Sequence, residues 1–339
     1  MSTTRRTFLQ GTAAAAAAVG MPSIPALAQG AEEIKLHSFV APNHVIWTDV
    51  LTPWAAEVAK LSNNRLTVKL FPAMQLGGRP PELYRQTVQG ITDATFTLPG
   101  YTSGDFPMMA LTELPGTANS AEDGTKKLWA NFDKFLATDF KDTKVLMLWN
   151  SDTASLMSKN KPLKTLEDLK GMKIRAPSAA QSAQLEALGA TPIDMPAPAI
   201  YNNLDRGVID ASMIPLSAAL DFKLIEVVKY FTIDAPLGRS PFLVAMNKSR
   251  YEKLAPDLKK IIDDTTGLKL SLKGAETYDK KNLESLAAAK KDREVFSLAP
   301  QERQRWLAAF KPMIQKQVED GEKAGRPARG LVGAYGLLS

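Results

Sequence analysis

The sequence predicts an α/β protein of two lobes joined by a hinge, each lobe a mixed sheet flanked by helices. Three observations carry this. Strand-like and helix-like segments alternate along the chain, the pattern changes character at Asn150 and again around Ala235-Pro236-Leu237-Gly238, and 339 residues suit two domains of ~100 to 200 residues each.

Ile34 to Val40 alternates as a strand, and Ile46 to Leu61 has helical spacing with Trp47, Val50, Leu51, Trp54 and Val58 on one side. Leu66 to Phe71 reads as the next strand. Pro80 opens a helix where its missing N–H is harmless, and Gly90 ends it before the short strand Ala94 to Thr97. After the helical stretch Ala121 to Phe140 comes the apolar strand Lys144 to Trp149. The first crossing between lobes is placed just beyond it.

In the second lobe, Thr165-Leu166-Glu167-Asp168 matches a capping box that starts a one-turn helix, stopped by Gly171. Lys173 to Ala176 is then a strand, Ala179 to Leu188 a helix, Thr191 to Met195 extended, Ala199 to Arg206 helical and Val208 to Met213 extended. Glu226 to Thr232 and Phe242 to Asn247 read as strands on either side of the return crossing. From Pro256 a helical pattern runs to about Lys290, which either bridges both lobes or breaks near Gly274. Pro300 starts a last helix, followed by a Gly/Ala-rich tail after Gly325.

The N-terminus reads as an address. Thr4-Arg5-Arg6-Thr7-Phe8-Leu9-Gln10, an apolar run to Val19 and the small-x-small pattern Ala26-Leu27-Ala28 form a cleavable export signal over 1–28, of the twin-arginine type. The apolar run is shorter than the ~20 residues that span a bilayer, so a soluble periplasmic protein is expected. Net charge is +6, and the signal carries two of the arginines; no basic stretch interleaved with aromatics supports nucleic-acid binding. With no cysteine there is no disulfide, thiolate nucleophile or lipoprotein acceptor.

No catalytic residue, cofactor or metal site emerges. The only histidines, His37 and His44, fit no metal spacing, and neither Gly-x-Ser-x-Gly nor His-Glu-x-x-His occurs. An exported hydrolase built on converging carboxylates stays open, because sequence does not show which carboxylates meet.

The run Pro-Leu-Lys-Thr-Leu-Glu-Asp-Leu-Lys-Gly-Met-Lys-Ile-Arg-Ala-Pro at 162–177 resembles the signature of the solute-binding proteins of TRAP transporters, the DctP-like family. Further matches lie at Met74-Gln75-Leu76-Gly77-Gly78, Gly189-Ala190-Thr191-Pro192, Gly207-Val208-Ile209-Asp210 and Ala245-Met246-Asn247-Lys248, covering about Ile34 to Val318. The resemblance implies a periplasmic-binding-protein clamshell with a long C-terminal helix bridging the lobes. It would close on an organic acid and pass it to small and large membrane subunits driven by ion gradients, without ATP. The expected division is 29–152 plus about 236–275 for lobe I, 153–235 plus about 276–328 for lobe II, and a tail at 329–339. A receptor for an ATP-driven importer or a sensory protein shares such a fold.

Arg175 stands where the family has its carboxylate-binding arginine, and a guanidinium fork at a strand end matches a carboxylate bidentately. Ser155, Ile214 and Tyr101 replace the polar residues, two arginines and an asparagine, of sugar-acid-binding members. Walls stripped of polarity leave extra hydroxyls or a second charge unmatched, at ~1 to 3 kcal/mol each. One carboxylate on an apolar, preferably aromatic, body is therefore expected, packed by Tyr101, Met213 and Ile214 with Trp149 or Phe242. C4-dicarboxylate and sugar-acid ligands remain the alternative, and Met213 and Ile214 can equally be plain core. His44 and Arg239 complete the candidate contacts, Arg239 being as well suited to a hinge or salt bridge.

Overall fold

The computed structural model describes residues 31–338; the export signal read over 1–28 lies outside them. Among the described residues eleven strands fall into two sheets. In chain order they are β1 (Glu32–Ser38), β2 (Leu66–Phe71), β3 (Ala94–Thr97), β4 (Thr143–Asn150), β5 (Ala154–Ser158), β6 (Lys173–Ala176), β7 (Thr191–Asp194), β8 (Ala211–Pro215), β9 (Tyr230–Ile233), β10 (Pro241–Asn247) and β11 (Glu294–Ser297). The first sheet has the order β2-β1-β3-β10-β4 and the second β11-β9-β5-β8-β6-β7. Both are mixed: β1 runs parallel to β2 and β3, and β10 antiparallel to β3 and β4, while β6 is parallel to β7 and β8, and β5 antiparallel to β8 and β9. The chain passes from the first sheet to the second at 151–153 and returns at 234–240.

Two helices tie the sheets together. Leu268–Asp292 packs at its start against β4, where Leu148 N–H donates to Ser271 Oγ at 3.0 Å, and reaches β11 at its end. The pattern read from Pro256 breaks at Gly267, whose φ of 77° only glycine adopts without strain, rather than at Gly274. Gly274 stays helical because a Cβ there would stand 3.1 Å from the Trp149 ring; its missing side chain lets the helix lie on that indole. The long helix Pro300–Lys323 buries Trp306 and Phe310 against the second sheet's core and Val318 against the first's.

Elsewhere the structure departs from the sequence reading in physical detail. β5 and β11 were not anticipated as strands. β8 begins at Ala211, three residues beyond the expected start, because Gly207 turns at φ 70° and leaves Val208 half exposed. The stretch Ala121 to Phe140 is α-helical only to Ala130, then tightens and widens through short π and 3₁₀ turns. Beyond Gly325 the chain is not a bare tail: Ala328–Ala334 is a helix whose Leu331 and Val332 are fully buried.

Candidate binding site

The signature run builds the strand that carries Arg175. Thr165 Oγ1 accepts from Asp168 N–H at 3.3 Å, and Asp168 Oδ2 accepts from Thr165 N–H at 2.9 Å, closing a reciprocal cap on one turn of helix. Gly171 reverses the chain at φ 71°, and β6 follows with Arg175 at its third position, between Ile193 of β7 and Ser212 of β8. Arg175 is 1% exposed. Its Nε donates to Met195 O at 2.9 Å and its Nη1 to Met213 O at 3.0 Å. Burial lowers its pKa, opposed by the Tyr101 hydroxyl alongside. Among the described residues no carboxylate lies within ion-pair distance of it.

Arg175 lines a nearly filled cavity between the sheets, with about 30 Å³ of free volume. Phe39, Phe96, Leu98, Tyr101, Ile214 and Phe242 make most of its wall, and His44, Asp221 and Tyr278 stand in it as well. Two other grooves are more open to solvent, and Asp139, the buried carboxylate in one of them, already accepts from Met108 and Met109 N–H.

Five of the anticipated residues meet here and four do not. Arg175, Tyr101, Ile214, Phe242 and His44 line the cavity. Tyr101 lies in a turn after β3, and its hydroxyl accepts from Ala197 N–H at 2.9 Å, joining the two sheets beside Arg175. Met213 lends Arg175 only its carbonyl, because alternation along β8 sends its side chain to the core beneath the second sheet while Ile214 takes the opposite face. Ser155 is buried opposite Ile214 in the β5–β8 pair, on the same face of the sheet but not in the cavity lining. Trp149 lies one layer back, stacked on Phe96 at 5.5 Å and Phe242 at 5.3 Å. Arg239 is a hinge clamp: it donates to the carbonyls of Ala118, Asn119 and Ser151 and to Thr153 Oγ1, which leaves no reach to the cavity.

His44 is neutral, since burial, with Lys281 near, holds its pKa down to about 3. Its Nδ1 accepts from Ile46 N–H at 3.2 Å, so the proton sits on Nε2, 3.5 Å from Asp221 Oδ2. His37 is structural, held by Gln86 and Leu76. Phe39, Asp221 and Tyr278 were not singled out from the sequence. Phe39 follows the carboxyl end of β1, where open α/β sheets place ligands, so its position was a usable signal. Asp221 and Tyr278 come from helices far apart in the chain, and no local pattern marks them.

Residues 36–320 match the profile of the bacterial extracellular solute-binding proteins, family 7. The chain belongs to that family. It is a DctP-like TRAP solute-binding protein, and residues 2–22 match the twin-arginine translocation signal that exports it to the periplasm. A solved receptor from a marine metagenome, described as specific for aromatic acid ligands and crystallised with 3-hydroxybenzoate, is 34% identical with a TM-score of 0.87, covering 90% of this chain and 97% of that one. A TRAP solute-binding protein from Rhodoferax ferrireducens T118 with copurified benzoate is 33% identical, TM-score 0.85, over 89% of this chain and 96% of its own. The 2,3-diketo-L-gulonate-binding periplasmic protein YiaO of Escherichia coli strain K12 is 28% identical over 59% of this chain and 62% of its own length. Among the described residues of the receptor, no helix is long and apolar enough to cross a membrane.

Proposed function

We propose that this receptor captures a monocarboxylate with an aromatic body, Arg175 taking the carboxylate and the ring lying among Phe39, Phe96, Tyr101, Ile214 and Phe242. The observation that carries the reading is the buried guanidinium with no carboxylate within ion-pair distance among the described residues. A desolvated charge is stabilised by a counter-charge with good hydrogen bonds, and an incoming carboxylate supplies both. The cavity's aromatic walls offer stacking and edge contacts to a ring. Receptors at 34% and 33% identity hold 3-hydroxybenzoate and benzoate, which favours the same class here.

A dicarboxylate fits less well, because the second charge would meet Asp221 rather than another arginine. Sugar hydroxyls would face phenylalanine rings. The reading is of a receptor, as the family's members are solute-binding proteins, and it gives His44 a positioning role between Ile46 N–H and Asp221. The receptor hands the acid to the small and large membrane subunits of a TRAP transporter. A thermal-shift screen tests the ligand class. Benzoate, 3-hydroxybenzoate and cinnamate should raise the melting temperature more than succinate, malate or glucuronate, and the reverse order would defeat the reading.

A further inference from the structure

The cavity holds a second polar station that the carboxylate does not use. Asp221, on the short helix Ala218–Asp221, is 8% exposed at its side chain, with His44 Nε2 at 3.5 Å and Lys281 Nζ at 3.7 Å. Neither is a close contact, and Val45 N–H is its backbone donor; a carboxylate offers about four lone-pair sites, so some acceptor capacity remains. Tyr278, reaching in from the bridging helix, is 4% exposed, and its ring lies 4.8 Å from Phe242 and 6.3 Å from His44. No described residue hydrogen-bonds its hydroxyl, and burial keeps the phenol protonated. The other hydroxyls in the wall are engaged, Ser217 with Asp152 and Ser240 with Gln181.

A phenol with no hydrogen-bond partner among the described residues and a carboxylate with acceptor capacity left, lining one cavity, fit a group that can donate and accept at once. A hydroxyl does both; a methyl, a bare ring edge or a second carboxylate does not. We propose that Asp221 and Tyr278, with His44 steadying Asp221, form a hydroxyl-reading station, so that the preferred ligand is a hydroxylated aromatic monocarboxylate rather than the parent acid. The ligand hydroxyl donates to Asp221 and accepts from Tyr278, while Asp221 repels dicarboxylates. This rests on the reading that Arg175 holds an aromatic acid in the same cavity.

Titration calorimetry on the mature protein with benzoate and with 2-, 3- and 4-hydroxybenzoate tests it, alongside Tyr278→Phe and Asp221→Ala variants checked for folding by their melting curves. Wild-type protein should bind the best hydroxylated isomer about tenfold more tightly than benzoate, which corresponds to about one good hydrogen bond. In both variants that ratio should fall towards one. Equal affinity of the wild type for benzoate and every isomer, or a ratio untouched in both variants, overturns the station while leaving the Arg175 contact standing. Binding of none of the four acids overturns both.

Discussion

Arg175 Nη1 donates to the carbonyl of Met213 at 3.0 Å, which fixes the guanidinium at the edge of the cavity before any ligand arrives. With Nε held by Met195 O as well, the group is oriented by backbone on neighbouring strands, not by an opposite charge. Orientation without neutralisation is what an anion receptor requires, because the binding energy of the charge is left for the ligand.

Replacing Arg175 by Met removes the charge and keeps most of the volume. Losing a two-pronged contact at ~1.5 to 3 kcal/mol per charged hydrogen bond should weaken benzoate binding at least about a hundredfold. The unliganded melting temperature should move by only a few degrees, since relief of a buried charge offsets two carbonyls left unpaired. Calorimetry and a melting curve on the same sample check both halves.

Gly238 in the return crossing approaches lobe contacts too closely for a side chain: an added Cβ would stand 1.7 Å from Glu113 O. Gly238 N–H also donates to Gln184 Oε1 at 2.8 Å, and Gln184 Nε2 donates to Glu113 O at 2.9 Å. Gly238→Ala must push these segments apart, at ~1 to 3 kcal/mol. Lower thermal stability and weaker ligand affinity are expected together.

Arg239→Ala should behave differently. It strips donors from three hinge carbonyls, those of Ala118, Asn119 and Ser151, so a loss of ~2 to 4 kcal/mol in denaturant unfolding is expected. The order of preference among acids should not change, because none of its donors reaches the cavity. A reordered preference would place Arg239 in ligand recognition after all.

Glu113 gives a pH signature. It is buried, accepts from Ser178 Oγ at 2.7 Å and Gln181 Nε2 at 2.9 Å, and burial raises its pKa to about 7, against those hydrogen bonds. Between its ordinary value of 4.5 and about 7, the native state holds a proton that the unfolded chain releases. Its contribution to stability is therefore greatest below the lower value and is lost as pH rises through that window, by on the order of 3 kcal/mol at most. Asp139 and Asp152, both pushed up to about 6 by burial, slope the same way, whereas His44 destabilises the native state as pH falls below 6.5. The difference in urea midpoint between wild type and Glu113→Gln, followed from pH 4.5 to 8, isolates this one group and should widen in favour of the variant.

What sequence disclosed and what it hid follow from how local each feature is. Arg175 was singled out through the resemblance of the run 162–177 to the family signature, and that run is a local unit: the Thr165–Asp168 cap, the Gly171 turn and a short strand. The export signal and the alternation of strands and helices are local in the same sense. Met213 and Ile214 were both proposed for the pocket, yet adjacent strand residues face opposite ways, so only one of them can line it. Trp149 and Tyr278 show the limit. Which of these aromatics meets the ligand is decided by a helix crossing that places Gly274 on the indole and brings Tyr278 past it to the cavity, a contact between segments more than a hundred residues apart.

A crystal structure of the mature protein grown with benzoate tests the central claim most directly. The account predicts carboxylate oxygens about 2.7 to 2.9 Å from the Arg175 guanidinium and the ring in contact with Phe39 and Phe242. A carboxylate turned towards Lys281, or a ligand seated in one of the open surface grooves, would contradict it.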